Sequence, residues 1–230
     1  MPRFSTDQQK QLAAAAALQY VENKMTVGLG TGSTTALALR ALSQRLRAGL
    51  RITGVPSSAA TAQLAKRLRI PLIQDAGAFH KIDLTLDGAD EVDPDCNLIK
   101  GGGGALAREK IIATRSDRVI IMVNEKKLVP KLGRFRLPVE VLPFGWQSTA
   151  AILRSLGCKT ALRGSPAKPF RTDNGNFIID CAFGEIAEPE KLLQLLKSIV
   201  GVVEVGLFVA VADLVIVGRR DGSIAERWAA

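Results

Sequence analysis

Short Val/Ile/Leu-rich runs alternate with helix-length segments through the first half of the chain, and this alternation constrains the fold more than any other feature. The pattern predicts a helix over about 6–22, a strand over 25–29 and a helix over 33–47. It continues with strand-like "RITGV", a helix over 58–68, "IPLI", a strand over 82–86, a helix over 105–114 and strand "RVIIMV" at 118–123. Strands that alternate with helices build βαβ units and a parallel sheet. The strand runs lack a polar/apolar alternation, as expected where helices cover both faces.

The second half changes character. "VPKLGRFRLPVEVLP" (129–143) carries three prolines and reads as a linker followed by an edge strand. A helix over 146–156, a strand over 159–162, a "TDNGN" turn, strand "FIIDC", a helix over 189–199 and strand "GVVEVG" follow. Asn-Gly between apolar runs is a hairpin signal. A last strand, "DLVIVG", returns to the first sheet. The expected fold class is α/β: a Rossmann-like parallel-sheet domain (1–130 plus 206–230) with a smaller inserted α+β domain (131–205).

With 230 residues and 47% hydrophobic content, such a chain buries roughly 70–75% of its unfolded surface and needs no metal or disulfide to hold it. Three scattered cysteines, Cys96, Cys158 and Cys181, fit reduced thiols in a cytoplasmic protein. The alanine-rich start is not a secretory signal. The apolar stretch 199–218 is interrupted by Glu204 and Asp213 and reads as two buried strands with a bend, not a membrane span. A net charge of +9 attracts anions. "KRLR" at 66–69 reads as a solvated helix face. One tyrosine and no aromatic–basic interleaving argue against a single-strand nucleic-acid platform; between an acidic membrane surface and phosphorylated metabolites the charge alone does not decide.

"VGLGTGSTT" (27–35) lies between a predicted strand and helix. Glycines there turn backbone N–H groups toward a ligand, the helix N-terminus adds positive potential, and Ser33, Thr34 and Thr35 add hydroxyls. Ser33 replaces the third glycine of a dinucleotide fingerprint, and no Gly-Lys-Ser/Thr follows, so the loop suits a phosphomonoester rather than a nucleotide. The bland alternative is a Ser/Thr helix cap. In "DLTLDGADEVDPDCN" (83–97), Asp87 and Asp90 fall at a strand's carboxyl end, where open α/β sheets bind ligands. The alternating acids fail the calcium-loop pattern, since Leu98 and Gly104 occupy the glycine and glutamate positions counted from Asp93. Asp93 and Asp95 read as a solvated loop.

"LIKGGGGALAREK" (98–110) places four glycines before a helix. At 100° per residue, Glu109 shares an arc with Ala105, Leu106, Ile112 and Ala113. A carboxylate on an apolar face is shifted toward a general base's range, or else is a buried structural group. Gly101–Gly104 expose amides able to stabilise a developing oxyanion, and Lys100 adds a point charge. A phosphate cradle, two acids, a desolvated base and oxyanion donors together fit proton abstraction beside a carbonyl in a sugar phosphate. No metal set or nucleophile–histidine pair is apparent, and the lone His80 reads as incidental.

"GLGTGSTT", "DGADEVD", "KGGGGALAREKI", "LPVEVLP", "TDNGN" and "GVVEVGLF" occur in this order in ribose-5-phosphate isomerase of the A type, which the chain resembles over nearly its whole length. The resemblance implies interconversion of D-ribose 5-phosphate and D-ribulose 5-phosphate in the non-oxidative pentose phosphate pathway, without metal or organic cofactor, by a homodimer or a dimer of dimers. It implies Glu109 as the base acting through a cis-enediolate and Asp87 as an aid to ring opening. Asp90, Lys100 and the amides of Gly101, Gly102 and Gly103 would handle hydroxyls and enediolate charge. Thr31, Gly32, Ser33, Thr34, Gly88, Ala89 and Lys127 would contact substrate. The family commonly reads Asp-x-Ser-Lys where this chain has Asn124, Glu125, Lys126 and Lys127. The missing carboxylate makes the site more positive, with phosphate affinity as the expected readout.

Two other readings stay open at this point. An amino-sugar phosphate deaminase shares a similar "GTGST" loop but does not account for the Asp87–Asp90 and Lys100–Glu109 spacings; ammonia release from glucosamine 6-phosphate would reveal it. A non-catalytic sugar-phosphate-sensing domain would bind without turnover, and would expect a helix-turn-helix before the first strand.

Overall fold

The computed structural model describes residues 3–75, 79 and 81–229; His80 lies outside them. Helix α1 (Thr6–Ala17) starts on a capping box, with the Ser5 hydroxyl accepting from the Gln8 amide and the Gln8 side chain accepting from the Ser5 amide. A 3-10 turn, Leu18–Tyr20, finishes the predicted helix. Next come β1 (Thr26–Leu29), α2 (Ser33–Arg47), β2 (Thr53–Pro56), α3 (Ala59–Arg67) and β3 (Leu84–Asp87). The short strands β4 (Glu91–Val92) and β5 (Leu98–Ile99) precede α4 (Leu106–Ala113) and β6 (Val119–Asn124). The second half forms β7 (Leu137–Val141), α5 (Trp146–Ser155), β8 (Lys159–Leu162), β9 (Phe177–Ala182), α6 (Pro189–Lys197) and β10 (Val202–Val205). It closes with β11 (Leu207–Phe208), β12 (Leu214–Gly218) and β13 (Ile224–Trp228).

Six strands make the main sheet, in the order β13-β12-β6-β3-β1-β2. All neighbours are parallel except β12 and β13. Period-two alternation sorts the buried side chains between two covered faces. Ile120, Met122, Leu214 and Ile216 meet α1 and α2 through Ala13, Ala17, Leu39 and Leu42. Val119, Ile121, Val123, Val215 and Val217 meet Leu106 and Ala113 of α4 and the ring of Phe208. Each such aliphatic side chain contributes about 1.5–3 kcal/mol when fully buried. The alternating βα pattern therefore produced the parallel sheet it predicts.

A four-stranded antiparallel sheet, β10-β7-β9-β8, has its own core from Val139, Val141, Ile179 and Val205 with Leu153 of α5 and Leu196 of α6. Here the expectation of an edge strand fails, because β7 lies between β10 and β9. Pro138 is tolerated because it faces the end of β10, where its carbonyl accepts from the Gly206 amide at 2.8 Å and no proton is required of it. The Thr172–Asn176 turn closes through the Thr172 amide and Asn176 carbonyl, but the strands that pair across it, β8 and β9, are joined by the longer connection 163–176.

Three further differences concern short or late elements. "IPLI" makes only an isolated bridge, Gly54 to Leu72. Residues 199–218 form three strands rather than two, because β11 leaves the line of β10 to pair with β5 in a small sheet ordered β11-β5-β4. "DLVIVG" is not the last strand: the chain turns at Asp221-Gly222 and adds β13 antiparallel to it.

Candidate active site

Strand β1 has β2 on one side and β3 on the other. The loops leaving the carboxyl ends of β1 and β3 therefore part, and a crevice opens between them. A cavity of about 550 Å³ occupies this place. One wall is the start of α2. Its N-cap is Gly32, at φ 123°, and no side chain caps its first turn. The Ser/Thr cap considered from the sequence is thus not formed, and the first amides of α2 stay available to an anion. The Thr35 hydroxyl, buried at the same wall, has no hydrogen-bond partner among the described residues. Lys10, brought in by α1, also lines this cavity.

Opposite lies a buried charge cluster. Lys100 is 4% exposed, and its ammonium reaches the Gly88 carbonyl at 2.6 Å, Asp87 Oδ2 at 2.9 Å and Glu109 Oε2 at 3.2 Å. The Gly88 contact is a hydrogen bond, and the two carboxylate contacts are ion pairs. The Glu109 contact is an ion pair without an aligned hydrogen bond. Burial pulls the Lys100 ammonium down, but the Asp87 and Glu109 carboxylates outweigh it and hold the group above its ordinary range. Asp87 Oδ1 accepts from the Thr31 amide at 3.1 Å and the Gly88 amide at 2.7 Å. Lys100 is shared between Asp87 and Glu109, so its pull on Glu109 is opposed by the neighbouring carboxylate. Burial first, and the Asp87 charge behind it, push Glu109 up to about 8 against the pull of Lys100. Glu109 is 4% exposed and sits on the buried face of α4 with Leu106, Ile112 and Ala113, as its helical arc predicts.

The glycine loop joins these walls. Gly101 and Gly104 adopt φ of 101° and 81°, where other residues are strained. At Gly102 a Cβ would lie 2.8 Å from the Asp90 carboxylate, which accepts from the Gly102 amide. The loop therefore closes tightly over Asp90 while its backbone faces the cavity.

Of the residues singled out in the sequence, Thr31, Gly32, Ser33, Thr34, Gly88, Ala89, Asp90, Lys100, Gly101, Gly102, Gly103, Glu109 and Lys127 all line this one cavity. Asp87 lies behind it, 2% exposed. Thr31 turns its hydroxyl away into a cluster with Ser57, Ser58 and Thr61. Lys127 lies 3.8 Å from Asp90, which serves as its acidic neighbour. Asn124 lines the cavity, and its side-chain oxygen caps the Lys126 amide. Asp93 is not solvated as the sequence suggests. It is 6% exposed and accepts from the amides of Asp95 and Asn97, tying off the acidic loop. Sequence reasoning missed Lys10, Arg134 and Phe135 at the rim. Nothing local marks them. Buried Glu91 holds the 133–135 segment there by accepting from the Gly133 and Phe135 amides.

The arrangement can seat a phosphate at α2 and place a high-pKa carboxylate beside a reacting carbon. Comparison with known proteins agrees with that chemistry. The family model for ribose 5-phosphate isomerase A (phosphoriboisomerase A) matches residues 53–222. Ribose-5-phosphate isomerase A of Bacillus mycoides (strain KBAB4) is 50% identical over 214 residues, covering 93% of this chain and 96% of the relative. A solved D-ribose-5-phosphate isomerase in complex with phospho-erythronic acid superposes with a TM-score of 0.93 at 41% identity, over 98% of this chain and all of that one. Ribose 5-phosphate isomerase A of Methanocaldococcus jannaschii gives 0.90 at 38% identity, over 97% of this chain and 100% of that one. With sequence matching over 93% of its length and fold over 98%, the chain belongs to the ribose 5-phosphate isomerase A family.

Proposed function

We propose that the protein is an aldose–ketose isomerase interconverting D-ribose 5-phosphate and D-ribulose 5-phosphate. The observation that carries this reading is the shared cavity: an uncapped helix N-terminus on one wall and a buried carboxylate pushed up to about 8 on the other. The phosphate docks on the amides of α2 and draws on Lys10 and Lys127. Carbons 1 and 2 of the open-chain sugar then lie toward Glu109. Its carboxylate takes the C2 proton, the C1 carbonyl oxygen gains charge, and a cis-enediolate forms. Lys100 and the glycine amides stabilise that charge. Glu109 returns its proton to C1, while a proton moves from the C2 hydroxyl to the C1 oxygen, with Asp90 placed to assist. Aldose and ketose are isomers, so no electrons or atoms pass to a cofactor.

Running the reaction in deuterium oxide tests the proton route. Deuterium appearing at C1 of ribulose 5-phosphate supports it, because a hydride shift keeps the original hydrogen; no deuterium at C1 together with wild-type turnover by Glu109→Gln overturns it. The same proposal takes the inserted unit as 131–205, the working form as a homodimer and the compartment as the cytoplasm. Three buried free thiols agree with a reducing compartment. Among the described residues no helix is long and apolar enough to cross a membrane.

A further inference from the structure

The segment 101–110 carries both the glycine loop and Glu109, and the four-stranded sheet and the segments flanking it grip it at three points. Arg108 binds Asn174 Oδ1 at 2.8 Å and the Asp173 carbonyl at 2.9 Å. Lys110 binds Glu204 at 2.8 Å and the carbonyls of Val205 and Leu207 at 2.7 and 2.9 Å. Those two ties fix the helix. The third acts on the loop itself. Arg163, next after β8, is locked by Asp180 through two hydrogen bonds, at 3.0 and 2.5 Å. Its remaining nitrogen donates to the Gly101 carbonyl at 2.8 Å and the Gly102 carbonyl at 3.2 Å.

In a trans peptide the N–H points opposite to the C=O. Drawing the Gly101 carbonyl toward Arg163 therefore aims the Gly102 amide the other way, where it meets Asp90 at 2.8 Å. The same geometry at the next peptide aims the Gly103 amide away from Arg163. That amide has no acceptor among the described residues, and Gly103 lines the cavity. A guanidinium on a carbonyl also polarises the amide across the peptide, making its N–H a better donor.

We propose that Arg163 is a positioning residue for the isomerase reaction: through the Gly101 and Gly102 carbonyls it aims and polarises the Gly103 amide at the oxygen that gains charge. The proposal rests on the isomerase reading above. It assigns the four-stranded sheet a direct part in transition-state stabilisation, although none of that sheet's own side chains need touch the substrate.

The test compares wild type, Arg163→Met, Arg163→Lys and Asp180→Asn for kcat and KM with ribose 5-phosphate, and for inhibition by a phosphorylated sugar acid whose carboxylate occupies the charged-oxygen position. Losing one oxyanion donor costs about 10²–10³ in kcat; misaiming one should cost Arg163→Met roughly 10–100-fold. KM should stay within about threefold, because the contacts at α2 are untouched. Inhibitor affinity should fall with kcat. Arg163→Lys should recover part of the rate, since a lysine offers charge without the fork. Unchanged kcat in Arg163→Met, or equal losses of kcat and of inorganic-phosphate affinity, overturns the proposal. Should Arg163→Met fail to fold, the same kcat-without-KM loss in Arg163→Lys and Asp180→Asn supports it, and wild-type kinetics in both overturn it. A wild type with no turnover instead sinks the isomerase reading itself.

Discussion

Replacing Lys100 with methionine removes the charge on which the cavity's electrostatics turn. Methionine keeps an unbranched stem against the Phe208 ring, over which the ammonium now sits at 5.4 Å. Asp87 and Glu109, both buried, are left without their shared cation. Removing one partner of a buried pair costs about 3–5 kcal/mol, and that is the loss expected at pH 9, where the carboxylates press hardest to ionise. The loss should depend on pH in a definite sense. Glu109 is raised to about 8 from 4.5, and Lys100 is the group that pulls it down. Without Lys100 it rises further. A carboxylate raised in the folded state weakens stability as pH climbs from its unfolded to its folded pKa, and acid restores the loss. Lys100 itself is raised above 10.5, so in the wild type its contribution is constant over pH 6–9. One further unit on Glu109 widens the gap between variant and wild type by about 1 kcal/mol from pH 6 to pH 9. Urea unfolding at the two pH values, followed by the fluorescence of Trp146 and Trp228, measures this. An equal gap at both, or a variant as stable as the wild type, would refute the reasoning.

Other perturbations probe the remaining walls. Lys10→Gln should raise KM for the sugar phosphate about tenfold or more with little change in kcat, since a charge-assisted hydrogen bond is worth roughly 1.5–3 kcal/mol; steady-state kinetics decide. Asn124→Asp restores an acid beside Lys126 and Lys127, and should weaken phosphate binding by about two- to tenfold, the scale of one screened charge. An unchanged KM removes that idea. Gly30→Ala puts a methyl against the Asp87 carboxylate. Overpacking of this kind costs about 1–3 kcal/mol, and here it should also displace Asp87 from Lys100, so melting temperature and kcat should drop together.

Much of this architecture was legible because it depends on periodicity. The β1, β3 and β6 runs and the helices between them announce a doubly covered parallel sheet, and the 100° arc foretold that Glu109 is buried. What stayed hidden has other causes. Strands of two residues, such as β4, β5 and β11, are too short to show a period. Pro138 argued for an edge because the end of β10, which spares it a hydrogen bond, is a tertiary fact. Strand β13 carries Ile224, Glu226 and Trp228 on one face and Ala225 and Arg227 on the other, so neither face reads as apolar. The Asp221-Gly222 turn was its one local signal. At the site, glycine-rich motifs marked the loops. Lys10, Arg134 and Arg163 come from distant segments, and only the folded chain joins them to the site.

The most direct test of the central claim is turnover of ribose 5-phosphate to ribulose 5-phosphate, with EDTA present, by wild type and by Glu109→Gln. The glutamine keeps the shape and removes the base. A general base contributes about 10²–10⁴-fold, so the variant should lose at least a hundredfold in kcat while still binding substrate. The wild-type rate should rise as pH climbs through about 8, where Glu109 deprotonates. Equal activity in both proteins would make Glu109 a structural carboxylate and contradict the account.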